Sequence, residues 1–376
     1  MDIYAVEAKL MIINVVIPSY NYGKYIESSV NSVIAQSYPG LRVIIVDDGS
    51  ADNTREIGEA LAAKDERIIY IHQENGGVSK ARNTGIDYVM KNKEGFEYIT
   101  FLDADDLWRK DFFNDKVLSC LDEKRDVVCF EMCKCTDDLK KCTPPCELLE
   151  SPSGKPAVEY RVIDGGAGSV RCHDDLPMGA VFYSVDLIEE AGLRFLDGLK
   201  FDEDDIFKMQ ALYAADKIAL LKRVLYIYRT NSGSAIKTVK FNVDYYIPIV
   251  ASYIKADEQM LFLKDKKDDE LRWGRTLAAR YTTQMIDEHF RSFGKEEEIR
   301  KILDENPKFT ENLRDFSIYS KNVQSWIEAV KGNKRKYILK QKIIGIKQAA
   351  VRVAKRSIIL RKIKDSGMYC QENIYI

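Results

Sequence analysis

The sequence predicts an α/β protein built on a mostly parallel sheet flanked by helices. Three observations carry that expectation. Runs rich in Ile and Val recur at 11–18, 41–48, 66–73 and 96–103. Between them lie roughly 10–15 residues of helical pattern, the spacing of βαβ units. Each run closes on polar, small or acidic residues, and in such sheets ligands bind outside the carboxyl ends of the strands.

The first run, MIINVVIP, exits through PSYN, which places Pro18 and Tyr20 at a strand end. A helix-like stretch over 25–36 leads to LRVIIVDD, which closes on DDGS and carries Asp48. Ser50 and Asp52 there also suit a helix N-cap. ERIIYIHQ ends in QENGG, ahead of a helix starting near Val78. FEYITFLD is apolar and β-prone, yet Asp103, Asp105 and Asp106 crowd its exit. Like charges at the lip of a core cost free energy unless something positive sits among them. On an extended strand end, residues two apart share a side. Asp103 and Asp105 are therefore expected to face one cleft, with Asp106 facing away or capping the next helix.

Beyond 127 the pattern is less regular. VVCFEMCKC reads as a strand, 151–156 and 164–169 as loops, and 178–193 as a strand followed by a short helix. FDEDDIFKMQAL reads as an acidic helix start, and an apolar run follows it to YIYR at 226–229. After 240 helical patterning dominates, so the expected division is 1–240 and a helical region at 241–376. From Lys331 to Lys364 basic residues recur without an acidic one, with apolar residues at near-helical spacing. Such a basic amphipathic helix either lies on an anionic membrane surface or packs on the body with its lysines wet. Nothing there interleaves aromatics as stacking platforms, which argues against nucleic acid.

A chain of 376 residues is long for one core and fits two units. Hydrophobic residues at 45% and charged residues at 31% are ordinary for a soluble globular protein. A net charge of −2 gives no general affinity for nucleic acid. No apolar run approaches the roughly 20 residues needed to span a bilayer. The opening residues lack the basic start of a signal peptide. A cytoplasmic location, with peripheral membrane contact through 331–364, is the expectation. The eight cysteines then read as reduced thiols. Four of them, Cys133, Cys135, Cys142 and Cys146, lie close together but without a C-x2-C repeat. They read first as a cysteine-rich hairpin, with a zinc site as the lesser alternative.

Two hard oxygen donors in a cleft suit Mn²⁺ or Mg²⁺, which take one or two carboxylates plus phosphates and water. The acidic exit thus reads as half of a metal site that a diphosphate would complete. A triphosphate-binding nucleotidyltransferase would want a Gly-rich basic loop after the first strand, and a dinucleotide dehydrogenase a G-x-G-x-x-G. PSYNYG is neither. A non-catalytic nucleotide-sugar-binding protein is the third alternative, and it predicts loss of some of these carboxylates, all of which are present.

Taken in order, VVIPSYNYGKYIESSVNSVIAQSYPGLRVIIVDDGSADNT at 15–54, QENGGVSKARNTGI at 73–86 and YITFLDADD at 98–106 form a linked set. The set resembles the family 2 inverting glycosyltransferases of GT-A fold, of the bacterial cell-surface polysaccharide type. The resemblance is close over about the first 110 residues and looser to about 235. It implies a GT-A domain over 1–240, with a nucleotide-binding half at about 10–110 and an acceptor half at about 111–240. It also implies transfer of a sugar from a nucleotide-diphosphate donor, a UDP-sugar, to a saccharide or lipid-linked saccharide. By position, Pro18 and Tyr20 would line the base pocket and Asp48 would hydrogen-bond the base. Lys80, Arg82 and Asn83 would help close the nucleotide pocket. Asp103, with Ala104 beside it, would lie by the ribose and metal, and Asp105 would bind the metal. In DEDDIF, Glu203 and Asp204 stand where the family carries its acidic pair, with Asp204 the general base. Asp202 replaces the usual glycine, which leaves Asp205 as the alternative base. Asn231 stands where many relatives have a His, which puts a metal ligand from that loop in question.

Overall fold

A computed structural model describes residues 10–143, 160–165, 178–197 and 203–230, all within a compact unit running from Met1 to Ala278. The boundary near 240, Asn231, Cys146 and the basic stretch 331–364 lie outside the described residues. The first part alternates as its periodicity requires: β1 (Ile12–Ser19), α1 (Ile26–Ile34), β2 (Leu41–Asp47), α2 (Thr54–Lys64), β3 (Ile68–His72), α3 (Val78–Lys91) and β4 (Glu97–Phe101). The second part follows with β5 (Leu107–Trp108), α4 (Asp115–Asp122), β6 (Val127–Thr136), β7 (Cys142–Thr143) and β8 (Tyr160–Asp164). After a 3-10 turn at Met178–Ala180 come β9 (Val181–Ser184), α5 (Val185–Glu190), α6 (Glu203–Ala214) and β10 (Lys217–Thr230).

The ten strands among the described residues join one sheet in the order β3-β2-β1-β4-β9-β6-β10-β5, with β7 on β6 and β8 on β10. The four strands β3, β2, β1 and β4 are parallel, as expected. Past β4 the sheet is mixed. β9 runs antiparallel to both β4 and β6, β6 and β10 are parallel, and β5 and β8 oppose β10. A parallel neighbour needs a long crossover, whereas antiparallel pairs do not. The helix-and-strand rhythm that enforces crossovers stops at β4.

Side chains alternate across β1, so Val15 and Ile17 enter one core and Val16 the other. Val30 and Val33 of α1, Leu61 of α2 and Val117 and Leu121 of α4 fill the first core. Ala81, Ile86 and Val89 of α3, Ile188 of α5 and Phe207 and Leu212 of α6 fill the second. Burial on both faces explains why β1 and β2 are nearly continuous apolar runs. Helix α3 seats directly on β1, because a Cβ at Gly85 would stand 2.4 Å from Cγ1 of Val16.

The reading of reduced thiols is overturned for one pair. β6 and β7 form the expected hairpin, whose register sets Cys135 opposite Cys142, and these two are disulfide-bonded. Residues directly opposed in an antiparallel pair bring their Cβ atoms to about 4.5–5.5 Å, close to disulfide reach. Cys120, Cys129 and Cys133 are buried and stand outside that disulfide. Among the described residues, no helix is long and apolar enough to cross a membrane.

Candidate functional site

The carboxyl ends of β1, β2 and β3 lie side by side, with Ser19 paired to Asp47 and Asp47 to His72. Pro18 is buried within β1 opposite Val46, while Tyr20, one residue past the strand, is 48% exposed. Asn21 has φ +60°, and its side-chain oxygen accepts from Ala51 N–H at 2.7 Å, which ties the first exit loop to the second. Asp47 is fully buried and accepts from Ser50 N–H at 2.9 Å and Tyr70 O–H at 2.6 Å. Burial alone would raise its pKa; the hydrogen bonds from Ser50, Tyr70 and His72 more than offset that and hold it below the ordinary value.

Asp48 is also buried, and its carboxylate organises the third exit loop. Oδ1 accepts from Gln73 Nε2 at 2.6 Å and Gly76 N–H at 2.9 Å, and Oδ2 from Gly77 N–H at 2.8 Å. The expected base contact would have to share these oxygens with the loop. Gly77, at φ +90°, turns the chain into α3, a conformation L side chains rarely adopt. Lys80 is exposed and lies over Gly76, where an added Cβ would meet its Cδ at 2.2 Å. Asn83 is committed elsewhere: its amide accepts from Phe195 N–H at 2.9 Å and donates to Phe195 C=O at 2.9 Å.

The acids after β4 do not stand on an extended strand. β4 ends at Phe101, and Asp103–Asp106 form a tight turn closed by Asp106 N–H on the Asp103 carbonyl at 3.0 Å. Asp103 and Asp105 are half-buried, and Ala104 between them is buried. Turn geometry, not strand alternation, therefore sets where the two carboxylates stand. Asp106 neither faces away nor caps a helix; β5 follows it directly. It is buried, accepts from the hydroxyl of Tyr226, and accepts from Arg229 N–H at 2.7 Å. Burial, then the neighbouring Asp103 and Asp105, push its pKa well above the carboxylate range.

The positive charge that such a cluster demands is Arg82. Its guanidinium is buried and donates from Nη1 to Glu203 Oε1 at 2.7 Å and from Nη2 to Asp103 Oδ1 at 3.0 Å. Burial disfavours its charge, but Asp103, Glu203 and Asp204 outweigh that and raise its pKa. One side chain of α3 thus joins the acidic turn to the N-terminus of α6, where Glu203, Asp204 and Asp205 occupy the first turn favoured by the helix dipole. Beneath this bridge Phe101, Phe195 and Phe207 pack together, with Phe195 and Phe207 stacked at 4.2 Å and Arg82 5.1 Å from the Phe195 ring. Glu203 is buried, and burial raises its pKa despite Arg82. Asp204 and Asp205 are half-exposed, and the buried Lys208 lies 2.6 Å from Asp205 but 3.8 Å from Asp204.

Three further residues belong to the site without having been singled out in the sequence. Tyr22 is half-buried; burial, then the charges of Asp105, Asp103 and Asp106, raise its pKa. Tyr226 and Arg229 come from the end of β10. Arg229 donates from Nε to the Asp105 carbonyl at 2.8 Å and from Nη1 to the Asp137 carbonyl at 3.2 Å, fixing the turn from behind. The only sequence signal for them was YIYR at the end of an apolar run.

The donor set fits a hard divalent cation. Asp103 is engaged by Arg82 through Oδ1 alone and its side chain is 40% exposed. Asp105 beside it is half-buried. One or two partly exposed carboxylates are what Mg²⁺ or Mn²⁺ takes from a protein when phosphates supply the rest.

The Glycosyl transferase family 2 model matches residues 14–164. The chain is 30% identical over 259 residues to glycosyltransferase GlyG of Streptococcus pneumoniae serotype 4, a match covering 65% of this chain and 79% of GlyG. It is 31% identical over 226 residues to the uncharacterized glycosyltransferase EpsJ of Bacillus subtilis, covering 59% of this chain. The match spans 62% of the length of EpsJ and 31% of that of the pneumococcal glycosyltransferase GlyA. Among solved structures, S. aureus TarS 1–349 in complex with UDP-GlcNAc superposes with a TM-score of 0.58 at 21% identity, covering 87% of this chain and 89% of TarS 1–349. At that identity the likeness speaks for the fold.

Proposed function

The chain belongs to glycosyl transferase family 2, and on that premise we propose that it moves a sugar from a UDP-sugar to a hydroxyl of a saccharide or lipid-linked saccharide, with inversion at the anomeric carbon. The observation that carries this reading is the Arg82 bridge. It draws Asp103 and Glu203, 100 positions apart in the chain, onto one guanidinium at 3.0 and 2.7 Å. A strand-end acid pair and a helix-start acid pair beside one another supply what the reaction needs, a holder for the diphosphate's cation and a base for the acceptor. The UDP-GlcNAc in the TarS complex supports a UDP-linked donor.

Asp105 and Asp103 would hold Mn²⁺ or Mg²⁺, which when bound neutralises charge on the departing diphosphate. Tyr20, exposed at the exit of β1, offers a face on which the base stacks. Lys80 offers an exposed cation over the Gly76 turn. Asp204 takes the proton from the acceptor hydroxyl as that oxygen attacks the sugar carbon. Asp205 is the weaker candidate, because Lys208 grips it at 2.6 Å. Glu203, committed to Arg82, orients the first turn of α6 rather than moving a proton.

The test incubates the whole chain with UDP-sugars and Mn²⁺ and follows free UDP by phosphorus NMR. Asp105→Asn is expected to abolish metal-dependent UDP binding. Asp204→Asn is expected to keep binding and to lower turnover by about 10²–10⁴, the span of general-base assistance. Equal loss of binding and turnover in Asp204→Asn would remove its role. Absence of any metal-dependent UDP-sugar binding would overturn the reading as a whole.

A further inference from the structure

The hairpin of β6 and β7 carries a cluster the sugar-transfer reading does not use. Sγ of Cys133, Cys135 and Cys142 all lie within 4.8 Å of one another, and Cys133 Sγ is 3.8 Å from Cys135 Sγ. Cys133 and Cys135 stand two apart on β6 and so share a face, while Cys142 comes across from β7. Cys133 and Cys135 are buried against Val224, with Cys142 and Ile227 packed on them. The cluster lies behind the acidic turn. Cys135 is register-paired with Arg229, and Thr230 Oγ1 donates to the Cys135 carbonyl at 2.8 Å.

We propose that these three cysteines form a redox-gated site for a thiophilic divalent cation of the zinc class. With Zn–S bonds of about 2.3 Å, the edge of a tetrahedron of sulfurs is about 3.8 Å. The Cys133–Cys135 separation already has that length, while Cys142 Sγ, now bonded to Cys135, reaches a further corner only once that bond is broken. In the disulfide form two of the three sulfurs are bonded to each other and the site is closed. A dithiol reductant opens it: two electrons and two protons pass to the Cys135–Cys142 bond, which breaks into two thiols, while the dithiol closes to its own disulfide. The cation then displaces the thiol protons to solvent, because thiolate and not thiol is the ligand. Three thiolates in a largely apolar setting are costly without a cation, which makes the reduced trio a strong acceptor of one. The fourth coordination position is left to water or an anion. The half-buried Cys142 is the point of entry for the reductant.

The experiment uses the full chain, reduced anaerobically with dithiothreitol and desalted, and Co²⁺ as the optical probe. Reduction is expected to add two titratable thiols. One equivalent of Co²⁺ should then give thiolate-to-cobalt charge-transfer absorption that Zn²⁺ bleaches, while the unreduced chain gives none. Cys133→Ser and, at the more exposed position, Cys142→Ser should each lose that absorption, and Cys129→Ser should retain it. No gain of thiols on reduction, no charge-transfer band in the reduced chain, or a band that survives in both Cys133→Ser and Cys142→Ser would each overturn the proposal.

Discussion

In the parallel half, Asp48 is held by partners close in the chain: Gln73, Gly76 and Gly77 stand 25, 28 and 29 positions away. In the mixed half the reach is different in kind. Glu203 meets Arg82 across 121 positions, and Asp106 meets Tyr226 and Arg229 across 120 and 123. The first arrangement forms as neighbouring βαβ units close. The second requires the whole sheet, since β10 must pair with β6 and β5 before the acidic turn has its backing. The Asp48 end is thus built locally, and the acid cluster by global assembly.

Removing Arg82 should strain this contrast most. Arg82→Met leaves the buried Glu203 without its partner and the half-buried Asp103 without its own, and breaking a buried pair such as Arg82–Glu203 costs about 3–5 kcal/mol. Chemical denaturation should show that loss, and Arg55→Ala, which removes the exposed pair with Glu59 at 2.9 Å, should leave the midpoint in place. A loss of equal size in both would mean that the bridge holds nothing together. A smaller effect is expected at Tyr226→Phe, which removes the hydroxyl on Asp106. Leaving a buried acceptor short of its donor costs about 1–3 kcal/mol. If assembly at that point is global, hydrogen exchange should quicken at both β5 and β10, and a change confined to residue 226 would argue for a local role.

The smallest effect belongs to the parallel half and shows as pH dependence. The folded-state pKa of Asp47 lies below its unfolded value, so its contribution is complete above the unfolded pKa and is lost as pH falls through the folded one. Asp47→Asn should flatten the acid limb of the stability profile and leave the slope above neutrality unchanged. An unchanged acid limb would remove Asp47 from the account.

The same contrast governs what was legible in the sequence. β1 to β4 announce themselves through periodicity within a dozen residues, and Gly77 marks its own turn. Asp103, Asp105, Glu203 and Asp204 were legible as acids in a motif, and Arg82 as part of the SKARN segment. That Arg82 joins the two acid groups depends on where α6 docks. Asp106 read as a spare acid because its partners lie at the far end of β10, beyond any local pattern. The two-residue strands β5 and β7 are too short to carry periodicity, and without the register of β7 the pairing of Cys135 with Cys142 cannot be read. Antiparallel insertion of β9 escaped for the same reason: strand direction is a property of the sheet.

The bracket on Asp48 has a consequence for how this protein can change. Two of its three donors are main-chain N–H groups, at Gly76 and Gly77. Any residue other than proline supplies that group, so part of the loop's shape is inherited through the backbone, the rest resting on the side chains of Gln73 and Asn75. Glu74, exposed on the same loop, is then open to drift or to exchange in the laboratory while the fold of the exit persists. Gly77 is the exception, since φ +90° admits little else. Diversification of the loop can proceed at such positions without renegotiating the architecture beneath it.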